Sequence, residues 1–103
     1  MTNSMYKICF VCTGNICRSP TADALMRHQV QQAGMEGRVF VDSAGTHGYH
    51  VGAPPDGRSQ EVLSEKGINM AALSARKLIA KDFHDFDLLV AMDNGHLSHM
   101  NRI

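Results

Sequence analysis

MYKICFVCTGNICRSP, residues 5–20, contains the change of period that decides the fold. Residues 5–11 form a short apolar run rich in strand formers, and a Gly-containing turn follows at once. That pattern predicts a buried strand of a parallel sheet. From Ser19 the spacing becomes helical. Ser19 is placed as N-cap and Pro20 as the first helical residue, with Asp23 near the positive end of the helix dipole. Ala22, Leu25, Met26, Val30 and Ala33 then fall at i, i+3, i+4, i+8 and i+11, predicting the inward face, and Gly34 sits where a C-terminal cap belongs.

Strands and helices keep alternating beyond this unit. Residues 38–42 (RVFVD) predict a second strand, and residues 43–55 a loop with three glycines and two prolines. A second helix is expected over residues 57–66, capped by Asp56, with Val62 and Leu63 inward and Gly67 ending it. Residues 87–92 (DLLVAM) predict a third buried strand, after which Asp93 caps a last helical segment bearing Leu97 and Met100. The mixed-charge run 77–87 reads as a solvated face. Such alternation implies a parallel α/β sheet with right-handed crossovers, whose ligands bind beyond the carboxyl ends of the strands. The loop after the first strand begins at Cys12.

The bulk numbers narrow the function classes. The 103 residues fit one domain, 1–103, with no repeat or linker, and 44% hydrophobic with 19% charged residues is ordinary for a globular chain. Lys plus Arg equals Asp plus Glu at ten each, without the basic excess that nucleic-acid binding usually requires. No apolar run approaches the ~20 residues of a membrane span. The start, Met1-Thr2-Asn3-Ser4, lacks the basic and apolar regions of a signal peptide. Three cysteines, all within the first 17 residues, suit a reducing compartment and a chemical role rather than a disulfide framework. The expectation is a cytoplasmic protein with no nucleic-acid or membrane partner, no cofactor and no metal.

The segment 12–20 has a specific chemistry. Between a strand and a helix, successive backbone N–H groups can turn inward and form a nest for an anion, reinforced by the helix dipole. The amides of Thr13, Gly14, Asn15, Ile16, Cys17 and Arg18 are the expected donors, and Gly14 and Asn15 are residue types that tolerate positive φ. Arg18 supplies a planar fork able to take two phosphate oxygens. A thiol at the start of this ring, beside a helix N-terminus and a cation, is favoured as thiolate. The Ser19 hydroxyl could donate a further bond to its sulfur. Cys12 then attacks a phosphate monoester in line, and water releases phosphate from the phosphocysteine.

These residues resemble the low-molecular-weight protein-tyrosine phosphatases. Matching stretches are residues 11–22 (VCTGNICRSPTA), 41–46 (VDSAGT), 52–58 (GAPPDGR), Gly67-Ile68, 86–93 (FDLLVAMD), Leu97 and Asn101-Arg102. The resemblance implies a flavodoxin-like three-layer α/β fold with a parallel sheet. It implies Cys12 as nucleophile, Arg18 as phosphate clamp and transition-state stabiliser, and Asn15, Ser19 and Ser43 as a hydrogen-bond network shaping the loop. Tyr49 would line the cleft for an aromatic phosphoester, so the substrate is a phosphotyrosine protein or small aryl phosphate and the product inorganic phosphate. Two departures stand out. The family is roughly one and a half times as long, and its general acid lies in an Asp-Pro pair beyond residue 103. No Asp-Pro occurs in this sequence, which implies a domain truncated before its last strand and helices. Some members also carry a histidine near Ala71-Ala72 that supports Asn15; none is present here.

Other motifs support weaker alternatives. Cys9 and Cys12 match Cys-x-x-Cys, but residues three apart on a strand point to opposite faces, so Cys9 is expected in the core. Cys12 and Cys17 share one curved loop and could form a protective disulfide; simple packing of Cys17 is the alternative. An arsenate reductase of the same fold would need a later cysteine pair, and no cysteine follows Cys17. His47 with His50 and His96 with His99 have ligand-like spacing but no second cluster, so solvent exposure is expected. The methionines read as core filler. Asp56 and Asp93 read as caps, with Asp93 also close enough to the loop for a supporting role. A truncated chain that binds phosphate or phosphotyrosine with little turnover is the remaining alternative to an enzyme.

Overall fold

Strand β1 (Tyr6–Cys12) lies in the middle of a three-stranded parallel sheet, with β2 (Val39–Gly45) on one side and β3 (Leu88–Ala91) on the other. The computed structural model describes residues 5–101; residues 1–4 and Arg102, which carried readings above, lie outside the described residues. The sheet order β2-β1-β3, all parallel, is the flavodoxin-like arrangement, whose ligand crevice opens where β1 and β3 diverge. Pairing runs from Tyr6 opposite Val39 to Cys12 opposite Gly45, and from Ile8 opposite Leu88 to Val11 opposite Ala91. Cys12 therefore stands at the carboxyl end of the central strand.

Alternation along β1 divides its side chains between two faces. Cys9 and Val11 are fully buried with Ala44, Leu78 and Met100, and Phe86, Leu89 and Ala91 pack around them. Cys12 turns to the other face, toward the start of α1 (Arg18–Gln32). A second cluster, Ala24, Leu63, Ile68 and Met70, joins α1 to α2 (Gly57–Glu65). Asp56 caps α2 as expected, accepting from the N–H groups of Arg58 and Ser59, and Gly67 follows it at φ 77°. The short α3 (Asp82–Asp85) precedes β3, and α4 (Asn94–Met100), capped by Asp93, follows it.

Several expectations are corrected. Helix α1 starts at Arg18, with Cys17 at the cap position and no side-chain cap bond, because the Ser19 hydroxyl is drawn to Cys12 and Asn15. Pro20 is thus the third helical residue, and Asp23 lies beyond the first turn. The buried stripe of α1 is Ser19, Pro20, Asp23, Ala24 and Val30, while Leu25 and Ala33 are exposed. An aspartate can sit on that stripe because Arg27 one turn on pairs with it. Burial pushes the Asp23 carboxyl above its usual range, against the pull of Arg27 and the Ser43 hydroxyl.

Val62 is 53% exposed while Leu63 is buried, and Leu97 is exposed while Met100 is buried. Strand β3 is an edge strand among the described residues, with Leu88 exposed rather than buried. The run 77–87 is mostly exposed, as expected, but Leu78 and Asp82 within it are buried. Asp82 accepts from Arg76 Nη1 at 3.1 Å and from the Ile79 N–H at 2.8 Å, and Arg76 Nε donates to Asp42 at 3.1 Å. Burial works against the Arg76 charge, but these two carboxylates hold it above its ordinary value. This ion cluster fastens the loop before α3 to β2.

Candidate active site

The turn from Cys12 to Arg18 is curled by bonds to its outer edge. The Cys12 carbonyl accepts from the Thr46 N–H at 2.8 Å, Thr13 from His47 at 3.0 Å, and Ile16 from Asp56 at 2.6 Å. The Cys17 carbonyl accepts from the Thr21 hydroxyl at 2.6 Å. With these carbonyls fixed outward, the amides of Gly14, Asn15, Ile16 and Cys17 are left without protein acceptors among the described residues. That is the arrangement of an anion nest. Close packing enforces it: a Cβ on Gly45 would stand 2.7 Å from the Thr13 carbonyl oxygen.

Asn15 is the pivot. It is the only non-glycine at positive φ among the described residues, at 59°, and its buried side chain supports that conformation from both ends. Its Oδ1 accepts from the Arg76 backbone N–H at 2.9 Å, and its Nδ2 donates to Ser19 Oγ at 2.8 Å. Gly14, expected to share the positive φ, does not. A Cβ there would lie 2.8 Å from Cδ2 of the exposed His50 side chain, which would have to turn aside.

Since Ser19 Oγ accepts from Asn15, its own proton is free to be donated. Cys12 Sγ lies 2.9 Å away and the Ala44 carbonyl 3.5 Å away, so the sulfur is the better acceptor. The result is an oriented relay from the Arg76 amide through Asn15 and Ser19 to Cys12. A histidine near position 72 is not needed, because a backbone N–H holds Asn15 in its place. Ser43 does not join this relay: it is buried beside Asp23, and among the described residues it makes no bond to Cys12, Asn15 or Ser19.

Arg18 is half-exposed at the far end of the loop, its Nη2 3.3 Å from Asp93 Oδ2. Asp93 is held below the usual carboxylate range, first by the His96 backbone N–H, with the Arg18 guanidinium adding to the pull. Tyr49 is 70% exposed and stacks on His47 at 5.0 Å between ring centroids, forming a wall beside the loop. Cys17 is exposed and unbonded to Cys12; its sulfur lies 3.6 Å from Ser59 Oγ. Cys9 is core, as expected, and burial pushes its thiol up to about 12.

One residue at the site was misread. His96, expected in solvent, is buried, with Nε2 2.9 Å from Thr13 Oγ1. The available clue was its i, i+4 spacing from Met100, which places both on the inner face of α4. No group of three or more His, Cys, Asp or Glu side chains among the described residues could hold a metal ion, and no helix among them is long and apolar enough to cross a membrane.

Comparison with known proteins agrees with this geometry. The family model described as low molecular weight phosphotyrosine protein phosphatase matches residues 7–103. A protein of that name from Schizosaccharomyces pombe is 49% identical over 98 residues, 94% of this chain and 62% of that protein. The crystal structure of YfkJ from Bacillus subtilis superposes with a TM-score of 0.94 at 41% identity, covering 96% of this chain and 62% of YfkJ. A protein tyrosine phosphatase from Entamoeba histolytica gives 0.89 at 38% identity, covering 96% and 62%. The chain thus spans about three fifths of the length of these relatives. Within that span the α/β fold is shared, and the chain belongs to the low molecular weight phosphotyrosine protein phosphatase family.

Proposed function

We propose that this chain carries the phosphate-attacking machinery of a cytoplasmic protein-tyrosine phosphatase acting on phosphotyrosine and aryl phosphate monoesters. The observation that carries the proposal is the Ser19 hydroxyl 2.9 Å from Cys12 Sγ, beside a loop whose Gly14 to Cys17 amides have no protein acceptor among the described residues. The amides from Thr13 to Arg18 cradle three phosphoryl oxygens, and the Arg18 guanidinium clamps two of them as charge develops. The Cys12 thiolate attacks phosphorus; the S–P bond forms as the P–O bond to the aryl group breaks, and the electron pair leaves on the aryl oxygen. Water then attacks the phosphocysteine, the S–P bond breaks, and inorganic phosphate departs. Ser19 stabilises the departing thiolate, Asp93 supports Arg18, and Tyr49 with His47 provides the aromatic wall of the cleft.

No Asp-Pro pair occurs among the 103 residues. A general acid is typically worth about 10²–10⁴ in rate, so the chain alone turns over acidic phenol leaving groups best. That same observation favours a second reading, a module that holds phosphate or phosphotyrosine with little turnover. The test is hydrolysis of p-nitrophenyl phosphate by this chain and by Cys12→Ser, with acid quench to trap phosphocysteine by mass. Turnover above the variant, with a phosphoryl adduct on Cys12, is the expected result. Equal rates and no adduct would sink the enzyme reading, and retained phosphate binding would then favour the module.

A further inference from the structure

His96 has an arrangement that its family membership does not explain. The residue is 5% exposed. Nε2 reaches Thr13 Oγ1 at 2.9 Å, at the start of the phosphate loop. Its backbone N–H donates to Asp93 Oδ1 at 2.8 Å, and the other oxygen of Asp93 lies 3.3 Å from Arg18, at the end of the loop. Thr13, His96, Asp93 and Arg18 therefore form a chain of contacts joining the two ends of the loop from outside. Within it, Nδ1 lies 3.2 Å from Asp93 Oδ1 but out of line for a hydrogen bond. It is the buried side-chain nitrogen or oxygen left without a partner among the described residues.

For a singly protonated ring, the neighbouring carboxylate places the proton on Nδ1 and leaves Nε2 to accept from the Thr13 hydroxyl. A buried N–H without an acceptor is costly, and Asp93 needs only a small turn to supply one. What opposes that turn is the Arg18 ion pair, half-exposed and correspondingly weak.

We propose that His96 is a positioning residue for the phosphate site: it fixes Thr13 and takes over the Asp93 carboxylate when Arg18 leaves it for a bound phosphoryl group. Arg18 is thus released to the anion without stranding the carboxylate, and a nitrogen unpartnered in the resting state gains its bond in the occupied one. The proposal rests on residues 12–18 being the phosphate site.

Protection of Cys12 from iodoacetate by inorganic phosphate, followed by peptide mass analysis, reads occupancy without requiring turnover. The wild-type chain is expected to be protected. His96→Ala should need about tenfold more phosphate, the scale of one lost buried hydrogen bond. His96→Gln, whose amide reaches toward the Thr13 hydroxyl, should recover part of that loss. A wild-type chain unprotected at any phosphate concentration would overturn the phosphate-site reading, and this proposal with it. Protection of the wild type with an unchanged constant in a folded His96→Ala would overturn the proposal alone. Should His96→Ala fail to fold, ring ¹⁵N shifts of the wild-type protein decide. A proton on Nδ1 whose signal moves as phosphate saturates Cys12 supports the handover, and a signal indifferent to phosphate overturns it.

Discussion

Cys9 and Cys12 are three residues apart on one strand and both buried, yet their surroundings equip only one of them for chemistry. On the Cys9 face the thiol is enclosed by core and accepts a long bond from Arg76 Nη2 at 3.7 Å, while the same guanidinium binds Asp82 through Nη1 and Asp42 through Nε. Burial dominates and pushes that thiol up to about 12. On the Cys12 face the sulfur meets an oriented hydroxyl at 2.9 Å, the start of a helix, and a loop of free amides. At Cys9 burial outweighs even a guanidinium donor, whereas the hydroxyl bond and helix start at Cys12 are what the proposed nucleophile requires. The two faces also divide the labour, with the ion cluster beside Cys9 holding the fold and the relay behind Cys12 serving the site.

The largest effect should separate those roles. Cys12→Ser should lower aryl phosphate turnover by at least about 10³-fold while leaving the melting temperature within a few degrees. Cys9→Ser should do the reverse, lowering stability through a buried hydroxyl while the folded fraction keeps its rate. Equal losses of turnover in both variants would break the division. Next comes Asp82→Ala, which strips Arg76 and the Ile79 amide of a buried acceptor. Urea unfolding should show a loss of about 2–3 kcal/mol, with phosphate still protecting Cys12 in the folded protein. Smaller again is Ser19→Ala, expected to reduce turnover by roughly ten- to a hundredfold, the worth of a hydrogen bond to a charged group. It should also cost about 1–3 kcal/mol of stability, because the buried Asn15 Nδ2 loses its acceptor, and a KM change with kcat intact would refute a role toward the sulfur.

The sequence disclosed these two faces unequally. In the Cys12 loop each residue type has few alternatives at its position, so Cys12, Asn15, Arg18 and the strand before them could be read from local spacing. Asn15 needed only its tolerance of positive φ. The misreadings share a physical cause: polar groups that are buried because a distant partner satisfies them. Asp23 sits on the inner face of α1 because Arg27 and Ser43 receive it, which hydropathy alone assigns to solvent. Asp82 is buried against Arg76 and the ion cluster that reaches Asp42 on β2, inside a mixed-charge segment that is otherwise mostly exposed. His96 depends on Thr13, 83 residues away. Ser19 has the composition of an N-cap, but its hydroxyl is used by the site, and the helix starts two residues earlier than that cap would place it.

The finest distinction between the faces lies in how stability answers to acid, and two aspartates should answer in opposite directions. Burial raises the Asp23 carboxyl in the folded chain. Below its unfolded value, about 3.9, both states are protonated and no stability is lost. As pH climbs from there through the higher folded value, the folded state holds the extra proton, and stability falls. Asp93 is lowered, by the His96 N–H first. Its contribution is complete above about pH 4 and is lost as pH falls through the folded value. Melting temperatures across pH 3–7 for the wild type, Asp23→Asn and Asp93→Asn isolate each curve by difference. The stability of Asp23→Asn relative to the wild type should rise with pH from about pH 4, even though the amide loses its charge pairing with Arg27. Asp93→Asn should lose its disadvantage as the solution is acidified. Two difference curves of the same sign would mean that pairing with Arg27, not burial, governs Asp23, and that α1 tolerates its inward carboxylate as an ion rather than as an acid.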